Sequence, residues 1–145
     1  MWAAVAERDV ELLRRWVDVF NTRDIEALIR LCASDVALHS AFAAVGGAVY
    51  HGHDEMRTWH RDLEEAWGKE IRLESEAYFD LGEQTLTFYV YHGRGKHSGA
   101  EGAMPAAAVG RWRDELMTYA KVYLHRADAL ADLGVTEDEL DPIAP

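Results

Sequence analysis

The chain is poor in the residues that staple or stiffen a fold. It has one cysteine, Cys32, and three prolines in 145 residues. A lone cysteine forms no internal disulfide, so stability must come from a packed core. A chain of this length buries roughly two thirds of its unfolded surface and needs no metal or disulfide for that. It has no apolar run of about 18 residues, which leaves no candidate membrane-spanning helix. Glu7, Arg8 and Asp9 lie where an export signal would need its apolar stretch, so a cytoplasmic protein is expected. Basic residues are also scarce, 15 against 26 acidic ones, for a net charge of −11. No basic stripe reverses that balance, so nucleic acids and anionic membranes are poor partners. The one local basic concentration is His92-Gly-Arg94-Gly-Lys96-His97.

What is present reads as one globular domain, 49% apolar and 28% charged, with no repeat or linker. Val5, Leu12, Leu13, Trp16, Val17 and Phe20 recur at helical spacing, which predicts a helix over 3–21. Thr22 or Asp24 can cap a second helix carrying Ile25, Leu28, Ile29 and Cys32. Residues 35–40 read as a short strand and 41–52 as a loop. A third helix follows over about 54–67, with Met56, Trp59, Leu63 and Trp67 on one side. After Gly68 the period becomes two. Ile71, Leu73, Ser75, Ala77 and Phe79 alternate with more polar positions, as in a half-buried strand. Further strands are expected over 84–94, 103–112 and 116–125, the last two joined at Arg113-Asp114-Glu115. A short helix ending at Gly134 and a capping box at Thr136–Glu139 close the pattern. Early helices followed by four consecutive strands make an α+β domain. Such a sheet twists and curls, and the helices are the only cover for its concave face. The expected shape is a cone with a pocket at its open end.

The order of these elements carries a resemblance. The Arg23-Asp24-Ile25-Glu26-Ala27-Leu28 helix start and the Tyr50-His51-Gly52 lead into the third helix belong to it. So do Trp112-Arg-Asp114 and the segment from Val122 to Leu130. Together they resemble the SnoaL-like branch of the nuclear transport factor 2-like superfamily, across nearly the whole chain. The resemblance implies a cystatin-like α+β barrel, a curved antiparallel sheet wrapped around N-terminal helices. That fold hosts ketosteroid isomerases, cyclases, dehydratases and non-catalytic binders, so fold alone does not name an activity. In the isomerase branch, the oxyanion tyrosine falls on Trp16, the general-base aspartate on Ser40 and the second aspartate on Ala108. None of these supplies a carboxylate, so steroid isomerisation is not expected.

The same resemblance orients the strands. It places Leu38, Ser40, Leu86, Phe88, Val90, His92, Arg94, Met104, Ala106, Ala108, Gly110, Ala120, Val122 and Leu124 toward the pocket. Trp16, Phe20 and Trp59 reach it from the helices. The expected lining is apolar and roomy, with Ser40, His92 and Arg94 as its polar points. Two readings follow. In one, the protein binds or acts on a polyketide- or steroid-sized apolar molecule, with His92 as acid/base for proton transfer. In the other, it is a non-catalytic carrier or a dimeric interaction module. Tyr89, Tyr91, Tyr119 and Tyr123 are expected on the uncovered outer face, where an aromatic patch would support a homodimer, as in the family. No cofactor or metal is expected. His51-x-His53 is a single loop pair, and a zinc site needs three or four converging ligands. Cys32 reads as a buried structural residue, and the glycines from 93 to 99 lack the helix N-terminus of a phosphate loop.

Overall fold

The first helix, α1, runs Trp2–Thr22, and its stripe of Val10, Leu13, Trp16, Val17 and Phe20 is buried. The computed structural model describes residues 2–41, 47–94 and 101–145, the side chains of 2–8, 94 and 101 excepted. Arg23, at φ +68°, turns the chain out of α1. Asp24 then caps α2 (Ile25–Ile29) by accepting from the Ala27 N–H at 3.1 Å. This helix is shorter than its spacing suggests. Cys32 is not on it but opens β1 (Cys32–Ser40). The reason is tertiary: the Met117 N–H donates to the Leu31 carbonyl at 2.9 Å and draws the chain alongside another strand. The segment read as a loop also holds a strand, β2 (Ala48–His51), paired antiparallel to β1 from Ala37–His51 to Ser40–Ala48. Helix α3 (Gly52–Trp67) buries Met56, Trp59 and Leu63.

The remaining strands are β3 (Arg72–Asp80), β4 (Thr85–Arg94), β5 (Glu101–Arg113) and β6 (Leu116–Tyr123). They complete a six-stranded curved sheet of order β2-β1-β6-β5-β4-β3, in which only the β1–β6 pairing is parallel. Asp114 and Glu115, both at positive φ, form the tight turn between β5 and β6. Helix α4 (Arg126–Leu133) ends at Gly134, whose φ of +69° suits a residue without a Cβ. The Thr136–Glu139 capping box follows, and Ile143 then pairs with Tyr78 on the outer edge of β3. No described helix is long and apolar enough to cross a membrane.

Both faces of the sheet are covered. Helices α1 and α3 pack on the concave face around Trp16, Trp59, Leu63, Leu73 and Tyr89. On the convex face Phe79, Leu86, Phe88, Ala107 and Val109 pack with Ala129 of α4, and Leu130, Leu133 and Leu140 join them. This second layer overturns the expected orientation of β4. Thr87, Tyr89 and Tyr91 stand opposite Ala108, Ala106 and Met104 and face inward. Leu86 and Phe88 stand opposite Val109 and Ala107 and face α4. A strand buried on both faces has no apolar/polar alternation from which to read its direction. In β3 a bulge between Ser75 and Ala77 shifts the phase, so Tyr78, not Phe79, continues the helix-covered face of Leu73. Tyr78 packs with Val10 and Leu13, while Phe79 meets Phe88 on the other side.

Candidate functional site

The concave face and the two long helices enclose a cavity of about 40 Å³. Helix α1 brings Leu13, Trp16 and Val17 to it, and α3 brings Trp59. Strand β4 contributes Thr87, Tyr89 and Tyr91, with Ala108 opposite Thr87 on β5. Leu38, Ala120 and Val122 close the β1–β6 side. Ala108 and Ala120 are small residues of this lining, and Ala106 stands opposite the Tyr89 ring. The two tryptophans lie 6.2 Å apart between ring centres, and Phe20 sits behind them, 5.8 Å from Trp16 and 5.9 Å from Trp59.

The wall is apolar, but it is not inert. Tyr89 and Tyr91 lie edge to face at 5.4 Å. Burial pushes both phenols well above their ordinary range, and the two hydroxyls interact with each other. The Trp59 indole nitrogen and the Thr87 hydroxyl are buried without a hydrogen-bond partner. The Trp16 indole nitrogen has no well-formed bond either, although it lies close enough to Cys32 to oppose part of the rise that burial imposes on that thiol. Ser40 is a fourth buried polar group without a partner, beyond Leu38 on β1. No carboxylate, imidazole, ammonium or guanidinium is among the described residues lining the cavity. The arrangement can hold an apolar body and donate hydrogen bonds to it. It offers no group with a proton affinity near neutrality.

The structure gathers Trp16, Leu38, Trp59, Ala108 and Val122 at this cavity, as their sequence positions imply. Met104 is half-buried and packs against the same core. The other expected lining residues of β4 lie elsewhere. Leu86 and Phe88 are on the α4 side, and Val90 shares their strand parity. His92 lies on that side too, with its Nε2 3.0 Å from a carboxylate oxygen of Glu74. The Arg94 side chain lies outside the described residues. Leu73, which the period-two pattern marks as buried, takes part, and so do Thr87, Tyr89, Tyr91 and Met117, which no expected pocket position includes. Their signal was available only in part: threonine and tyrosine suit buried strands as well as leucine and phenylalanine do.

The expected tyrosine patch does not form one surface. Tyr89 and Tyr91 are each 3% exposed and face the cavity. Tyr119 and Tyr123 are on the opposite face, where Arg111 lies over Tyr119 at 4.6 Å and Lys121 over Tyr123 at 5.0 Å. The convex face, expected to be bare, carries α4. The two histidines expected on a loop lie on β2 (His51) and α3 (His53), and His53 bonds the Cys32 carbonyl at 2.9 Å. Among the described residues no three potential metal ligands cluster.

Comparison with known proteins agrees with this architecture. A hypothetical protein with a ketosteroid isomerase-like fold from Catenulispora acidiphila DSM 44928, in complex with trimethylamine, superposes with a TM-score of 0.70. It is 22% identical, over 88% of this chain and 95% of that one. An NTF2-like protein of unknown function from Burkholderia pseudomallei K96243 gives 0.72 at 19% identity, over 86% and 95%. A putative polyketide cyclase from Xanthomonas campestris pv. campestris gives 0.70 at 19% identity, over 87% and 96%. No curated protein is detectably similar in sequence. The SnoaL-like domain family itself matches residues 13–120, which take in the C-terminal part of α1, all of α3 and most of the sheet. The chain therefore belongs to the SnoaL-like domain family.

Proposed function

We propose that the protein is a non-catalytic binder of a small apolar molecule that carries a hydrogen-bond acceptor, a carbonyl oxygen above all. The observation that carries this reading is the pair of unpartnered donors, Trp59 Nε1 and Thr87 Oγ1, on residues that line one apolar cavity. A buried polar group left unpaired costs about 1–3 kcal/mol. A ligand oxygen between such donors recovers that cost, whereas a purely hydrocarbon ligand does not. Proton transfer is not part of the reading, because the described lining holds no acid or base for it.

Size narrows the ligand. The cavity of about 40 Å³ has room for roughly three water molecules. Ordinary drug-sized sites span about 300–1,000 Å³. A group of a few heavy atoms fits between the rings as they stand. A polyketide- or steroid-sized body would have to displace Trp16 or Trp59. The trimethylamine bound by the Catenulispora protein is a compound of the smaller kind.

Titration with 2-butanone and cyclopentanone, followed by tryptophan fluorescence, tests the reading. A saturable change is expected, since Trp16 and Trp59 both line the cavity. Thr87→Val removes one donor and keeps the shape. It should weaken ketone binding by roughly three- to tenfold, the worth of one hydrogen bond. Absence of any saturable response to either ketone would overturn the reading.

A further inference from the structure

One side chain closes an end of the cavity. On β5 the lining runs from Ala108 to Gly110, and Met117 of β6 and Leu13 of α1 also take part. Trp112 stands just beyond Gly110 on the same strand. It pairs with Met117, because the register shift after Arg111 leaves Thr118 without a counterpart and turns Met117 to the concave face. Trp112 also packs against the cluster of Val10, Leu13 and Tyr78. It is half-buried, so its indole lies between this end of the cavity and solvent.

The indole is latched in place across a glycine. A Cβ on Gly110 would lie 3.2 Å from Thr85 Oγ1 and 3.5 Å from Trp112 Nε1, so these two side chains border the space that a larger residue would take. The Trp112 N–H donates to Thr85 Oγ1 at 3.2 Å, and that hydroxyl donates to the Gly110 carbonyl at 3.4 Å. Both polar groups are thus partnered, whereas Trp59 Nε1 and Thr87 Oγ1 are not. This end of the cavity asks nothing polar of a ligand. It acts as a wall.

The wall lies within reach of the donors. Thr87 and Thr85 are two residues apart on one strand face, about 7 Å. On the far side of Thr87 stand the Tyr89 and Tyr91 rings. On the near side are Gly110 and Ala120, which pair with each other and are both small. The room beside the Thr87 hydroxyl therefore lies toward Trp112. We propose that Trp112 is the specificity-determining residue of the cavity. A ligand held by its carbonyl oxygen at Thr87 runs its alkyl arm over Gly110 and Ala120, and the indole sets how long that arm can be. This rests on the cavity binding a carbonyl compound. It adds the ligand class, a short-chain aliphatic ketone, and the direction in which it lies.

The test titrates the full chain by calorimetry with the straight-chain series from 2-butanone to 2-nonanone. Each methylene that is buried adds about fourfold in affinity. In the parent protein that gain should stop within the series. Trp112→Leu opens the wall and should carry the gain at least two carbons further. Trp112→Phe keeps a ring against Leu13 but has no N–H for Thr85, and should move the stopping point the same way by less. Gly110→Ala leaves Trp112 in place and adds a methyl at the cavity end, so the gain should stop at least one carbon earlier. A merely structural role would weaken every ketone alike and leave the stopping point where it was. That result, or a gain that continues through the whole series in the parent, overturns the proposal while the cavity reading stands. If no ketone binds the parent, both fall.

Discussion

Tyr89 of β4 stands directly opposite Ala106 of β5, and the two are buried together on the concave face, 3% and 0% exposed. The small residue is what admits the large ring beneath α1 and α3. The same exchange recurs one pair along, where Thr87 faces Ala108. Side chains directly opposite across a sheet lie about 5 Å apart, so volume added to one must come from the other.

Ala106→Leu should therefore destabilise the protein by about 1–3 kcal/mol, the usual cost of overpacking a filled core. Urea denaturation reads it as a lower midpoint with unchanged slope. Ala103, on the same strand, is exposed and faces His92, so Ala103→Leu is the control and should shift stability by no more than about 0.5 kcal/mol. Equal effects from the two substitutions would mean that Tyr89 does not occupy the space opposite Ala106.

Much of this architecture is legible in the residues. The α1 stripe, the Asp24 cap, the Asp114-Glu115 turn and the Gly134 stop each follow from local chemistry. Half of the cavity follows from what the resemblance implies, because β1, β5 and β6 keep its register at Leu38, Ala108 and Val122. The rest depends on contacts between distant segments. Strand β4 reads equally well facing either way, since α4 returns from the end of the chain to bury Leu86 and Phe88. The β3 bulge is invisible until Tyr78 finds Val10 and Leu13. Strand β2 is four residues long and takes its shape from β1. His92 looks like a pocket base only if β4 is turned over, and in the fold it meets Glu74 instead.

Asn21 should prove a structural residue out of proportion to its exposure. Its side chain donates to the Leu73 carbonyl at 2.9 Å and accepts from the Leu73 N–H at 2.8 Å. It thus completes the backbone of the edge strand β3 as a neighbouring strand would. Asn21→Ala leaves both groups without that partner and should cost about 1–3 kcal/mol. Because Leu73 lines the cavity, ketone binding should also weaken. Amide hydrogen exchange at Leu73 is the direct measurement, and unchanged protection there would sink the argument.

Cys32 should be silent toward thiol reagents while the protein is folded. Burial pushes its thiol up to about 11, with the nearby Trp16 indole opposing a smaller part. The thiolate is the nucleophile, so at about pH 8 little of the reactive form exists, and it is enclosed as well. Labelling with a disulfide reagent should follow denaturant-driven opening and not the native state. Rapid stoichiometric labelling without denaturant would contradict the burial of this side chain.

Acidification through the histidine range should destabilise the fold, in part through His60. Its imidazole sits half-buried on α3, 3.5 Å from Glu64. Burial lowers its proton affinity most, Glu64 partly restores it, and Arg23 lowers it again. In the unfolded chain the same group titrates near its ordinary value of about 6.5. The unfolded state therefore binds more protons as pH falls, and linkage makes stability drop with it. The contribution is fully present above about pH 6.5 and is lost as pH falls through the lower folded-state value. His39 is lowered too, by burial and then by Lys121 and His51, and acts in the same direction. The exposed carboxylates Glu26 and Asp132 are also held below their ordinary range, so their loss belongs to more acid conditions. Chemical denaturation at a series of pH values between about 7.5 and 5.5 isolates the histidine window. His60→Gln should flatten the fall of stability across it, and adding His39→Gln should flatten it further. A variant whose stability falls as steeply as that of the parent would mean that His60 takes up its proton in the folded state as readily as in the unfolded chain.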